Sequence, residues 1–173
     1  PTGWSNFTLN LSGDGDETIG WRIVTNDSAG NTNTTEIQSF YVYNATSDIS
    51  VTLNTTDSEL RWQADGQPTT QAPPINTLSS TLIGDYQVNH DGIGLPINVS
   101  FWLNETLPTE FDMKVNDEFD YDSAITLSID ALEVCNEIQP GSACQVWVWL
   151  DWSGEANPGT ISGNEIMMES YFS

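Results

Sequence analysis

Glu133–Trp152, EVCNEIQPGSACQVWVWLDW, is the stretch whose reading decides the fold. It holds Cys135 and Cys144, a Pro140–Gly141 turn signal, and Trp147, Trp149 and Trp152. Two apolar arms flank a polar turn, a pattern that predicts a β-hairpin. The second arm, Val146-Trp147-Val148-Trp149-Leu150, is apolar at every position. A strand apolar on both faces needs cover on both faces, from its own chain or from a partner.

Working outward, the same period-two signal recurs on either side. Ile97, Val99, Phe101 and Leu103 alternate with Asn98, Ser100, Trp102 and Asn104, which places the first set inward. Phe111–Val115 repeats the pattern, and Ile125, Leu127 and Ile129 continue it on odd positions. Leu132 and Val134 are even, so the parity switch near Asp130–Ala131 predicts a bulge or a turn between two strands. Glu165–Phe172 reads as a closing strand with Ile166 and Met168 inward. Upstream, Ser50–Asn54 reads as a strand with Val51 and Leu53 inward, Leu60–Ala64 alternates, and DGQPTTQAPP (Asp65–Pro74) reads as a loop. No stretch holds a helical period. Residues 47–173 are therefore expected to form an antiparallel β-sandwich.

Residues 1–46 form a second region. Phe7, Leu9 and Leu11 alternate along one strand, Asp14-Gly15-Asp16 makes a turn, and Thr18–Thr25 forms a strand with Trp21 and Ile23 on one face. Asn26–Asn31 is a turn and Ile37–Tyr43 a third strand. WRIVTNDSAGNTNTTEIQSFYV (Trp21–Val42) resembles the closing hairpin of fibronectin-type-III-like or bacterial Ig-like repeats. NHDGIGLPINVS (Asn89–Ser100) resembles tandem Ig-like modules of archaeal surface proteins. The resemblance implies an all-β, Ig-like sandwich preceded by an incomplete half-module, and a cell-surface or adhesive role without catalytic residues. A full module of this type needs about seven strands, so the chain is a fragment, or the missing strands come from the following domain or another subunit.

Charge narrows the partners. The 173 residues carry 3 Lys plus Arg against 25 Asp plus Glu, a formal net charge of −22. Arg22, Arg61 and Lys114 cannot neutralise a phosphate backbone, which excludes nucleic acid, and the same argument excludes anionic lipid surfaces. The balance favours solubility, cation binding and tolerance of salt. No transmembrane segment is present, so direct membrane insertion is not expected. Asn-x-Ser/Thr sequons fall at Asn6, Asn10, Asn26, Asn33, Asn44, Asn54, Asn98 and Asn104, with none beyond. Together with the paired cysteines they point to an extracellular protein bearing N-linked glycans. A Cys135–Cys144 disulfide, set against two buried thiols, would restrict the unfolded chain by roughly 2.5–3 kcal/mol.

Candidate sites follow from residue type. His90, the single histidine, sits in an Asn-His-Asp-Gly turn and reads as a solvent-exposed loop residue with no Ser or Cys beside it. Enzymatic activity is not expected. Calcium is the candidate ion, because Asp117, Glu118, Asp120 and Asp122 concentrate hard oxygen ligands; Asp14, Asp16 and Glu17, and Asp151, Ser153, Glu155 and Asn157, are smaller clusters. A solvated acidic turn is the competing state of each. Trp147 and Trp149, with Trp102, are expected on outer faces. There they would stack on sugars, meet another subunit, or be covered within the chain. The leading expectation is an extracellular structural protein that self-associates, through β-strand complementation, into a filament, sheath or lattice. The alternatives are a fragment of a tandem-repeat adhesin and a carbohydrate-binding module.

Overall fold

The alternating segments become thirteen strands, with no helix among the described residues. The computed structural model describes residues 17–42, 45–63, 67–78, 80–153 and 164–173. The chain divides into two units, Pro1–Ala45 and Thr46–Ser173. The class is all-β.

In the first unit β1 (Glu17–Trp21) pairs antiparallel with β4 (Gln38–Val42), and β2 (Val24–Asn26) with β3 (Thr32–Thr34). The two pairs are consecutive parts of one hairpin, joined where Thr35 N donates to Ile23 O at 3.0 Å and Ile23 N to Thr35 Oγ1 at 3.0 Å. The turn closes on Asp27, whose Oδ1 accepts from Ala29 N at 2.9 Å and Asn31 N at 2.8 Å. Its Oδ2 accepts from Asn31 Nδ2 at 2.6 Å. Gly30 supplies the left-handed conformation the turn requires, φ +85°. The bond from the Asn31 amide is the main reason the Asp27 carboxyl lies below its ordinary value of 3.8. The expected strand at Phe7–Ser12 and the Asp14–Asp16 turn lie outside the described residues.

The second unit holds β5 (Ile49–Leu53), β6 (Thr69–Ala72), β7 (Tyr86–His90), β8 (Ile97–Leu103), β9 (Phe111–Asn116), β10 (Ile125–Thr126), β11 (Leu132–Ile138), β12 (Ala143–Trp152) and β13 (Ile166–Phe172). A six-stranded sheet runs β10-β9-β12-β7-β5, with β6 also on β12, and a three-stranded sheet runs β11-β8-β13. Their facing sides share one core, in which Ile97, Val99 and Phe101 of β8 and Val115, Val146 and Val148 of the larger sheet are 0–1 % exposed. Burying a side chain of this kind contributes about 1.5–3 kcal/mol.

The predicted hairpin at Glu133–Trp152 does not form. β11 pairs with β8, and β12 with β9, β7 and β6, so the two arms lie in opposite sheets. The Pro140–Gly141 turn crosses between them, and the Cys135–Cys144 disulfide (Cα–Cα 6.1 Å) joins the two layers of the sandwich. Two observations explain the crossing. Register shifts between Glu133 and Cys135 and between Cys135 and Ile138, with Glu137 at φ 50°, turn β11 off a hairpin path. The turn is also clamped to β7, since His90 N donates to Ser142 O and Gly141 N to His90 O, both at 2.9 Å.

β12 is the hinge of the larger sheet. One edge pairs with β9 from Trp147↔Asn116 to Trp152↔Phe111. The other pairs first with β7 from Ala143↔Asn89 to Val146↔Tyr86, then with β6 at Leu150↔Ala72 and Trp152↔Thr69. Between the two, the buried Asp85 fills the ladder, its Oδ2 accepting from Val148 N at 2.7 Å. Residues 69–72 are thus a strand and not the loop their Pro-rich flanks predict, because the long strand β12 offers a free edge and Pro68 and Pro73 fall just outside the pairing. Ile125 and Ile129 also depart from expectation, being 38 % and 57 % exposed while only Leu127, at 5 %, joins the core. The parity switch after them marks the passage from β10 in one sheet to β11 in the other. Val51 lies on β5, beyond which the sheet has no further strand among the described residues, and is 43 % exposed.

Candidate functional site

The outer face of the six-stranded sheet gathers the side chains with chemistry to offer. Trp147 and Trp149 do alternate onto that face, but they are 6 % and 5 % exposed, so of the three outcomes left open for them the structure shows cover within the chain, and neither ring is open to a sugar or a subunit. Their cover is intramolecular. Asn116 at the end of β9 anchors the following loop, its Nδ2 donating to Asp120 O at 2.7 Å and Ser123 Oγ at 2.9 Å. Anchored in this way, the loop lays Phe119 against both indoles, with ring centroids 6.1 Å from each. Tyr121 meets Trp149 edge-on at 5.9 Å. The Trp147 Nε1–H donates to Ser80 O, which satisfies the polar end of the buried ring. Phe119 itself remains 49 % exposed.

Beside the aromatic cluster, Asp151 ties together β12, β9, β6 and the loop. Its Oδ1 accepts from Gln71 N at 2.7 Å, and its Oδ2 accepts from the Tyr121 hydroxyl. Lys114 Nζ lies 3.5 Å from the same Oδ2, donates to Tyr121 Oη at 2.9 Å, and sits 4.3 Å from the centre of the Tyr121 ring. The bond to Tyr121 is the largest cause of the raised Lys114 pKa, and burial is the largest cause of the raised Tyr121 pKa. Gln71 has a left-handed backbone, φ 60°, a conformation that costs a non-glycine residue about 1 kcal/mol or more.

Two clefts open around this cluster. One, of about 320 Å³, is lined by Trp149, Phe119, Tyr121, Gln71, Asp120 and Asp122 among others. The other, of about 430 Å³, is lined by Trp147, Gln145, Asp117, Glu137 and Gln139 among others. Past Gln145 the face continues as a run of amides. Gln145 Nε2 donates to Gln87 Oε1 at 3.2 Å, Gln87 Nε2 to Asn89 Oδ1 at 2.7 Å, and Asn89 Nδ2 to Ser50 Oγ at 3.3 Å.

The acidic stretch in the same loop does not assemble a ligand set. Among the described residues no three His, Cys, Asp or Glu side chains converge where they could hold a metal ion. Asp120 instead accepts from Ser123 Oγ at 2.7 Å and Asp122 N at 3.1 Å, with the Ser123 bond the main cause of its lowered pKa. Asp117, Glu118 and Asp122 are exposed around it. Asp14, Asp16, Glu155 and Asn157 of the smaller clusters lie outside the described residues.

His90 is not an exposed loop residue. It is fully buried at the end of β7, with Nδ1 accepting from Gly92 N at 3.0 Å and Nε2 donating to Leu95 O at 2.9 Å. Both nitrogens are engaged with backbone, which fixes the Nε2–H tautomer and removes the ring as a base or ligand. A Cβ on Gly92 would come within 2.0 Å of Thr46 O, so only glycine fits beneath the imidazole.

The sequons separate by structure. Asn26, Asn33 and Asn104 are exposed. Asn98 is half-buried on the outer face of the three-stranded sheet, where its amide donates to Glu133 Oε2 at 2.8 Å and accepts from Glu137 N at 2.9 Å, bracing the bulged strand β11. Asn54 donates to Gly84 O at 2.5 Å. Asn6, Asn10 and Asn44 lie outside the described residues. Trp102, half-buried, pairs in register with Met167 on the same sheet as Asn98. Phe119, Tyr121 and the amide run are candidates that emerge only with the fold. The signal for the run was there: Gln87 and Asn89 alternate with Val88 and His90, which are buried.

The chain matches no family model, no curated protein and no solved structure. No helix among the described residues is long and apolar enough to cross a membrane.

Proposed function

We propose that the chain is a non-enzymatic structural module of the cell surface that assembles with further copies by strand addition at its N-terminal unit. One observation carries this reading. Trp21, Ile23, Val24, Ile37, Phe40 and Tyr41 of that unit are between 42 % and 67 % exposed. The described part of the unit is one hairpin; a hairpin alone is marginal in water, and exposed apolar side chains gain cover when strands are added beside them. The resemblance of Trp21–Val42 to the closing hairpin of Ig-like modules supports the same reading, since such a hairpin belongs to a larger sandwich. The disulfide and the exposed sequons at Asn26, Asn33 and Asn104 support an extracellular setting. Engagement of both His90 nitrogens supports a role without catalysis. Electron microscopy of the concentrated protein tests the proposal: ordered polymers are expected, and a field of single particles at high concentration would overturn it.

A further inference from the structure

We propose that the outer face of the six-stranded sheet binds a neutral polysaccharide, with Phe119 as its stacking platform. Phe119 is a half-exposed aromatic ring backed by Trp147 and Trp149, on a loop anchored by the Asn116 bonds. It touches both indoles, and one cleft opens on the Trp149 side and the other on the Trp147 side. A sugar ring offers apolar C–H faces to an aromatic ring and hydroxyls at its edge, which act as both donors and acceptors. The same sheet face offers partners for that edge, from the loop beside Phe119 out along the amide run that starts at Gln145 beside Trp147. Gln145, Gln87 and Asn89 present side-chain amides, and Asp120 is held in one orientation by Ser123 and Asp122 with lone pairs left to accept from hydroxyls.

Charge selects the class of polymer. Asp117, Asp120, Asp122 and Glu137 border the two clefts, and the nearest cation, Lys114, is engaged by Tyr121 and Asp151. An acidic polysaccharide would meet carboxylates with no cation free to receive it, whereas an uncharged one loses nothing. The strained backbone at Gln71, in the wall of the Trp149-side cleft, fits a site whose shape is held in place before binding. This surface lies in the second unit and is independent of the strand edges invoked for assembly.

Affinity electrophoresis of the whole chain through gels carrying glucan, mannan or galactan tests the proposal, with polylysine as the control for a basic partner. At least one neutral polymer should retard the wild type. Phe119→Ala should weaken that retardation at least tenfold, Phe119→Tyr should keep it, and Gln87→Ala, remote from the loop, should weaken it as well. Thermal melting of each variant separates lost binding from lost folding, and Gln87→Ala decides the matter if Phe119→Ala does not fold. Passage through all three neutral gels without retardation, retardation by polylysine alone, or retardation unchanged in the folded variants would overturn it.

Discussion

In the N-terminal unit Phe40 and Tyr41, on the regular strand β4, are 45 % and 46 % exposed, whereas Phe101, on the equally regular strand β8, is fully buried. Both strands belong to antiparallel ladders with complete registers. The difference is the second layer. β8 lies across from a six-stranded sheet, while the described part of the first unit is a single hairpin. Alternation thus shows which side chains share a face, and a facing sheet decides whether that face is dry.

The contrast is broken most strongly by truncating an aromatic ring in each unit. Phe101→Ala should destabilise the second unit by about 3–5 kcal/mol, read by urea denaturation on the fluorescence of its buried tryptophans. Phe40→Ala should change the stability of dilute protein by about 0.5 kcal/mol or less. Equal effects would mean that the two faces are equally covered. Next in size is the disulfide. Replacing Cys135 and Cys144 by Ala should lower the stability of the second unit by roughly 2.5–3 kcal/mol, leaving the amide signals of the Asp27 turn in place.

Two titrations sharpen the comparison further. Burial, with Asp85 beside it, pushes the Tyr86 hydroxyl up to about 12 from an ordinary 10.0. A raised pKa means that the folded state holds the proton more tightly. The associated stability is complete below pH 10 and lost as pH rises toward 12. Ultraviolet absorbance should show late tyrosine titration in step with unfolding of the second unit, and the late signal should shrink in Tyr86→Phe; titration of every tyrosine near 10 before unfolding would contradict it. Asp27 in the first unit is shifted the opposite way. Its contribution is present above pH 3.8 and lost as pH falls through its lower folded value. Carboxyl NMR should place its midpoint below 3.8 and return it toward that value in Asn31→Ala. An unmoved midpoint would mean that the turn does not depend on the Asn31 amide.

The sequence disclosed most of what short-range periodicity encodes. The inward set Ile97, Val99, Phe101 and Leu103, the Asp27–Gly30 turn and the all-β class were legible because each depends on neighbouring residues. What it concealed depends on pairing across the chain. The Cys135–Cys144 loop reads as a hairpin whether its arms share a sheet or face each other, and only β8 and β9, as the partners of β11 and β12, decide between the two. Whether Trp147 and Trp149 are open or covered stays undecided in the sequence because their cover, Phe119 and Tyr121, sits in an acidic loop that looks fully solvated. His90 read as a surface residue because its polar, glycine-rich surroundings hid the backbone bonds made by both ring nitrogens.

The central claim, that the exposed apolar face of the first unit is where copies of the chain meet, is tested most directly by sedimentation velocity of the whole chain over a range of concentrations. The buffer should hold physiological salt, which shortens the range of repulsion between molecules of charge −22 to about 8 Å. Growth of large species with concentration, abolished in Phe40→Asp and retained in Phe119→Ala, is the predicted result. A wild type that sediments as a monomer at every concentration would contradict it.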